Sequence, residues 1–268
     1  MEEKKMKSQM QKATMSILAL VFIAGQVLGQ NTAREIMQKV DQQPDGDTRK
    51  SLMTMELVNK RGSKRVRSMN SYSKDYGEDK KSIMFFEQPA DVKGTGFLTW
   101  DYHEEDKNDD RWLYLPAMKK TRRINGSSAK KEYFMGSDFT YDDMGNRNVD
   151  EDKHDLIRTE IIKDIECWVI ESTPKDKSEL YSRRVLWVRQ DNYMVTRIEY
   201  FDKQGEMMKE LEVNEMKNID GYWVNTMMTM KNRQRDHQTI IYIKSIEFDI
   251  PANDNLFTVN ALEKGYIK

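Results

Sequence analysis

The side chains best suited to chemistry are scattered through this sequence. Its three histidines, His103, His154 and His237, stand far apart, and none has metal-ligand spacing to another. Asp142 and Asp143 are adjacent carboxylates able to serve as acid and base, but nothing in the sequence names a partner for them. The run from His103 to Asp110 (HEEDKNDD) is rich in oxygen ligands. It lacks the regular positions and the glycine of a calcium loop, so it reads as a solvated hairpin loop. The single cysteine, Cys167, cannot form an internal disulfide. It stands beside Trp168 in an apolar strand context and reads as a small buried hydrophobe, with no histidine nearby to activate it. There is no phosphate-binding glycine loop and no nucleophile elbow. These patterns argue against an enzyme and against a metal or cofactor.

What the sequence concentrates instead is apolar bulk next to charge. From Arg111 to Met144 it reads RWLYLPAMKKTRRINGSSAKKEYFMGSDFTYDDM. An alternating strand around Trp112 and Tyr114 is stopped by Pro116, which has no N–H for a ladder. The cations Lys119, Lys120, Arg122 and Arg123 follow, then a flexible Asn125-Gly126-Ser127-Ser128 link. The segment closes on Phe134, Met135 and Phe139. The plain reading is a strand, a surface loop and a short capped helix, with Ser137 or Asp138 at the cap. The sharper reading is a movable cover over an apolar pocket, with Phe134, Met135 and Phe139 closing the mouth. Arg122 and Arg123 then meet carboxylates of the cover or an anionic head group. Trp100, Trp112 and Tyr114 complete the candidate lipid-binding or lid residues.

The elements that must position these residues are mostly strands. Thr32 with Glu35 forms a capping-box pair that opens a helix through Val40, with Ile36, Met37 and Val40 as its apolar stripe. Pro44-Asp45-Gly46 ends it. Met53, Met55 and Leu57 alternate with polar residues, and Lys60-Arg61-Gly62-Ser63 turns the chain into a return strand. Ile83-Met84-Phe85-Phe86 is apolar on both faces and so requires cover on both sides. Leu98, Trp100 and Tyr102 share a face. Trp112 and Tyr114 oppose Leu113 and Leu115. The second half is a meander: residues 156–162 pair with 167–172, then 184–189, 193–201, 207–216, 223–230 and 239–248. Regular strands on short turns predict one antiparallel sheet that curls, with Leu256, Phe257 and Val259 docking the tail on it. Ten of the nineteen methionines fall in these strands, among them Met53, Met55, Met69, Met84, Met228 and Met230. A flexible, polarisable side chain fills a core or suits a surface that adapts to variable apolar partners.

Gly94-Thr95-Gly96-Phe97-Leu98-Thr99-Trp100, Trp112-Leu113-Tyr114-Leu115-Pro116-Ala117, Arg122-Arg123-Ile124 and Phe134-Met135-Gly136-Ser137-Asp138-Phe139, in that order, resemble the bacterial outer-membrane lipoprotein-sorting protein family. That family is a branch of the LolA/LolB-like periplasmic carriers, and the looser similarity runs from about Thr32 to the C-terminus. The resemblance implies a mainly β fold, a single curled antiparallel sheet forming an open, half-closed β-barrel, with a few helices covering the concave face. It also implies a lipid or acyl chain as cargo. No cargo-contact residue of LolA itself maps onto these positions.

The N-terminus sets the expected compartment. Lys4, Lys5, Lys7 and Lys12 precede an apolar run from Met15 to Ala24, and Val27-Leu28-Gly29 precedes Gln30. This predicts a secretory signal peptide over residues 1–29 and a carrier domain over 30–268. The apolar run falls short of the roughly 20 residues that span a bilayer. The full chain carries −1, and loss of four lysines and two glutamates leaves −3, too near neutral for a nucleic-acid partner. No cysteine stands near the cleavage site to carry a lipid anchor. The function expected is a periplasmic carrier or chaperone that binds the acyl chains of lipoproteins or lipids for sorting to the outer membrane, working with an envelope transporter or outer-membrane acceptor. The alternative is a lipoprotein-sensing or transporter-accessory interaction module on the same scaffold that transfers nothing. A hydrolase of envelope lipids is the third.

Overall fold

The computed structural model describes residues 32–104 and 107–265. Residues 1–29, the expected signal peptide, lie outside the described residues. Helix α1 (Ala33–Asp41) begins at the expected capping box: the Glu35 N–H donates to Thr32 Oγ1, and Glu35 accepts from the Thr32 N–H. Thirteen strands then follow, with two further short helices between and after them. They are β1 (Thr48–Val58), β2 (Lys64–Tyr76), β3 (Asp79–Gln88), β4 (Gly96–Asp101), β5 (Asp110–Leu115), β6 (Lys120–Ile124), β7 (Asp152–Ile162), β8 (Ile165–Pro174), β9 (Arg183–Arg189), β10 (Val195–Phe201), β11 (Met207–Ile219), β12 (Tyr222–Asn232) and β13 (His237–Phe248). Helix α2 (Gly126–Lys131) stands between β6 and β7, and α3 (Val259–Lys264) closes the described chain.

All thirteen strands join one sheet in the order β6-β5-β4-β3-β2-β1-β13-β12-β11-β10-β9-β8-β7. It is two meanders zipped together by the pairing of β1 with β13. Bulges at Leu52/Met53, Tyr200/Phe201 and Val213/Glu215 add local bend and twist, and the sheet curls. The end strands β6 and β7 follow each other in the chain yet do not pair, so the sheet is the open, curled one expected and does not close into a barrel.

The strand that is apolar on both faces receives cover on both. Met84 and Phe86 of β3 face inward, into a core with Met55, Met69, Phe97, Leu113 and Met230. Ile83 and Phe85 face outward beneath the C-terminal tail, with Leu98, Phe257 and Leu262. On the inner face α1 lays Ala33 and Ile36 on Ile170, Leu186 and Val188. Helix α3 packs on the outer face, so the helical cover is not confined to the concave side. Gly96 is what lets α3 sit close: a Cβ there would meet Leu262 Cδ1 at 2.6 Å and Phe85 Cε1 at 2.7 Å.

Candidate functional site

The residues between β6 and β7 cross the inner face instead of extending the sheet. Their central feature is a tight reversal. Tyr133 bridges Thr140, the Phe134 N–H donates to Phe139 O at 2.7 Å, and the Ser137 N–H donates to Phe134 O at 2.9 Å. Met135 (φ 47°) and Gly136 (φ 76°) sit at its centre. Two successive positive φ values are the signature of a type I′ hairpin turn. The expected helix cap at Ser137 or Asp138 is therefore corrected: both are buried arms of a hairpin. Phe134, 0% exposed, lands 5.9 Å from Phe86, 5.2 Å from Phe97 and 5.6 Å from Tyr141, ring centroid to centroid.

A buried hairpin leaves backbone polar groups that must find partners, and the inner sheet face supplies them from side chains. Arg67 of β2 donates to Met135 O. Asp138, fully buried, accepts from Thr239 at 2.8 Å, lies 2.6 Å from His237 Nδ1, and donates its own N–H back to Thr239 Oγ1 at 2.9 Å. Lys209 of β11, 0% exposed, donates to Asp138 O at 2.9 Å and to Asp143 at 2.5 Å. Asp143 also accepts from Tyr181 at 3.0 Å and from the Thr140 N–H at 2.6 Å. Burial works to raise the Asp143 pKa, but the Lys209 ammonium and the Thr140 hydrogen bonds outweigh it and hold the carboxyl below its ordinary range. Burial lowers Lys209 against the opposing pull of Asp143.

A second charged group ties the same segment to the sheet's ends. Arg111 of β5, 4% exposed, lies 2.8 Å from Asp109, 3.5 Å from Asp142 and 3.8 Å from Asp101. Arg147 binds Asp152 of β7 through two hydrogen bonds of 2.9 and 2.6 Å, and Lys130 binds Glu179 at 2.7 Å. Acids outnumber bases around Arg111. Burial, then repulsion from Asp109, pushes Asp101 up to about 7 against the pull of Arg111. Burial likewise raises Asp109 and Asp142.

Beyond the hairpin the inner face is hollow. A cavity of about 360 Å³ lies under α1 and the turns from Phe139 to Val149, within the range of small-molecule sites. Its floor is Leu186, Ile198, Tyr200, Leu211 and Met228, and Met37, Val40, Phe139 and Val149 form its walls. Arg184, Asp152, His154 and Ser172 form a polar end, and Asp142 and Asp143 a charged margin. A larger cleft of about 610 Å³ opens beside Asp41, Asp45, Asp75, Glu78 and Asp101. Its lining is charged and it lacks an apolar floor, so the smaller cavity is the binding-site candidate.

The eight residues singled out from the sequence do not form one site. Phe134, Met135 and Phe139 belong to the inner core, and of the eight only Phe139 reaches the cavity. Trp100, Trp112 and Tyr114 pack on the opposite face of the sheet under the tail, with Trp100 Nε1 donating to Phe257 O at 3.0 Å. Arg122 is exposed and pairs with Glu132 of the covering segment. Arg123, also exposed, pairs with Asp110 of β5. Sequence reasoning missed Lys209 and Arg184. Lys209 is in step with Leu211, and Arg184 with Leu186 and Val188. A charge in phase with an inward apolar row is the signal that marks both.

Comparison with known proteins agrees with this architecture. The model of a family of uncharacterised proteins matches residues 78–264, and no curated protein matches the chain. The crystal structure of a DUF1329 family protein from Desulfovibrio piger is 35% identical, with TM-score 0.82 over 86% of this chain and 97% of that one. A domain assigned to outer-membrane lipoprotein sorting, from Vibrio parahaemolyticus, is 30% identical, with TM-score 0.81 over 86% and 98%. A LolA superfamily protein from Nitrosomonas europaea, 20% identical, shares the fold at TM-score 0.69 over 87% and 100%. The chain belongs to the outer-membrane lipoprotein-sorting protein family.

Proposed function

We propose that this protein is a non-catalytic periplasmic carrier that holds an acyl chain of a lipoprotein or lipid in the inner-face cavity during sorting to the outer membrane. The observation that carries this reading is the cavity of about 360 Å³ with its apolar floor, set between α1 and a covering segment. Burying a chain there gains about 0.8 kcal/mol per CH₂ without directional bonds. Nine methionines lie in or against the inner core, and such side chains adapt to chains of differing shape. The lipoprotein-sorting assignment of the Vibrio domain supports the cargo class. Among the described residues no helix is long and apolar enough to cross a membrane.

The test is uptake of a fluorescent acyl lipid by the purified protein, compared with Ile198→Trp, which fills the floor. Wild type should bind saturably and the variant at least tenfold more weakly. Equal binding by both would overturn the assignment of the cavity. One observation favours the alternative, an interaction module that senses lipoproteins without transferring cargo: the half of the inner face under Phe134 is packed solid. On that reading the protein binds an envelope transporter or acceptor yet extracts no lipid from vesicles.

A further inference from the structure

Among the described residues the sheet ends in two edges that no further strand extends, and the two are built differently. β6 offers five residues, Lys120–Ile124, of which Lys120, Arg122 and Arg123 are cations. A short edge of one charge repels a second like itself, and proteins guard an open ladder in this way. β7 is eleven residues long. Arg158 and Thr159, neighbours on opposite faces, are both exposed. Ile157 is 45% exposed and Ile161 67%. Exposed aliphatic side chains on a long edge invite another strand.

The turn after β7 fixes which backbone groups face outward. Lys163 (φ 50°) and Asp164 (φ 65°) form a two-residue type I′ turn, which makes Ile162 and Ile165 a hydrogen-bonded pair. Alternation then aims the N–H and C=O of Ile162 and Glu160 at β8, and those of Ile161 and Thr159 at the open edge. A bulge at Ile157 interrupts this register further along the strand.

The residues along this edge are complementary to their own reverse. Counting outward from Thr159, Arg158 mirrors Glu160, Ile157 mirrors Ile161, Leu156 mirrors Ile162 and Asp155 mirrors Lys163. An antiparallel second copy centred on Thr159 therefore sets acid against base and aliphatic against aliphatic. The bulge shifts the aliphatic contacts by one residue, bringing Leu156 toward Ile161, and apolar still meets apolar. Arg158 and Glu160 lie on one face, 2.8 Å apart, so the two copies bring together four alternating charges.

We propose that the β7 edge is a homodimer interface. Two copies pair antiparallel about a two-fold axis at Thr159, the Thr159 N–H of each donating to the Thr159 C=O of the other, and the two sheets run on as one. The two-fold uses both β7 edges at once and closes the assembly at two, because the edge left on each copy is the cationic β6. The contact is small beside a standard interface, so the dimer is a reversible one.

The test is sedimentation of the purified protein over a range of concentrations. Wild type should show a monomer–dimer equilibrium with a dissociation constant below about 1 mM. R158E makes both positions flanking Thr159 acidic, and E160R makes both basic. Each should weaken self-association by about tenfold or more, since like charges then lie opposite. An equimolar mixture of the two variants should recover dimers of wild-type strength containing one copy of each, because every acid again faces a base. That recovery also shows that both variants fold. Thr159→Pro removes an N–H that the β7–β8 ladder does not use and should abolish the dimer. A wild type that stays monomeric at about 1 mM overturns the proposal and leaves the edge to a strand of another protein. Variants that self-associate as tightly as wild type, or a mixture that stays monomeric, overturn the pairing about Thr159.

Discussion

Replacing Lys209 by methionine tests how far the seating of the covering segment depends on the buried Lys209 contact. The substitution keeps most of the unbranched apolar stem and removes the ammonium 2.5 Å from Asp143 and 2.9 Å from Asp138 O. Breaking a buried ion pair from one side costs about 3–5 kcal/mol, because the remaining charge is stranded. The orphaned Asp138 carbonyl adds roughly 1–3 kcal/mol. Against this, Tyr181 and the Thr140 N–H still donate to Asp143, and protonation of Asp143 limits the penalty. The net expectation is a loss of about 4 kcal/mol, a large share of the roughly 5–15 kcal/mol typical of a folded domain. At about 2–4 °C per kcal/mol for a domain of this size, Tm should fall by roughly 8–16 °C. Lys209→Met combined with Asp143→Leu should recover most of the loss, since no charge is then buried alone.

The pH dependence supplies a second reading of the same variant. In wild type Asp143 is held below its ordinary range, despite burial, by Lys209 and Thr140. Its contribution is present above the unfolded carboxylate pKa of about 3.9 and is lost as pH falls through the lower folded value. Without Lys209, burial dominates and the folded pKa rises above the unfolded one. Stability is then fully present at low pH and lost as pH rises through the new value. The gap between wild type and variant should therefore widen from about pH 4 to pH 8. Denaturant midpoints across that range decide it. A loss below about 1 kcal/mol at pH 8, or a gap that narrows with rising pH, would refute the claim that this contact pins the cover.

Other consequences are accessible to the same assays. Asp101 has a folded pKa of about 7, raised first by burial and then by Asp109, with Arg111 and Lys80 opposing. A raised carboxyl pKa gives stability that is complete below about 4 and lost as pH rises through 7. Asp101→Asn should flatten the stability–pH curve between about pH 4 and pH 7, and a slope equal to wild type would contradict the assignment. Phe134→Ala removes the centre of the aromatic group formed with Phe86, Phe97 and Tyr141. It should cost about 3–5 kcal/mol by chemical denaturation. Gly96→Ala places a Cβ 2.6 Å from Leu262 Cδ1. It should cost about 1–3 kcal/mol and raise proteolysis of the C-terminal tail ahead of the rest of the chain.

Alternation makes much of the sheet legible before any coordinates. The opposed rows Trp112/Tyr114 and Leu113/Leu115 in β5, and Val185/Trp187 and Leu186/Val188 in β9, do face opposite sides. The two-sided apolar run in β3 does lie between two layers. What period-two patterning cannot say is which side is concave, because curl and layer order arise from contacts far apart in sequence. That is why Trp100, Trp112 and Tyr114 group with the lid residues by composition, yet lie under the tail. Lys209 and Arg184 escape notice for another reason. Lysine and arginine are almost never buried unless paired, and their partners, Asp143 for one and Asp152 with Glu179 for the other, are distant in the chain. The hairpin at Phe134–Ser137 was hidden because Met135 takes a positive φ that residue type does not advertise.

The buried charges and the open sheet have one physical cause. Strands β6 and β7 leave the ladder unclosed, so the chain joining them must cross an apolar face as irregular backbone. Irregular backbone in an apolar setting needs hydrogen-bond partners, and the ladder cannot provide them. Side chains on the inner faces of β2, β11 and β13 therefore have to be polar at a few positions: Arg67 for Met135 O, Lys209 for Asp138 O, Thr239 for the Asp138 N–H. Lys209 reaches further than the others, because it also binds Asp143, which lines the cavity. The contact that seats the hairpin in the filled half of the inner face thus fixes the margin of the hollow half. A cargo that shifts Asp143 must act on the seating of Phe134, and a change that loosens the hairpin must alter the cavity, since by linkage the coupling runs equally in both directions.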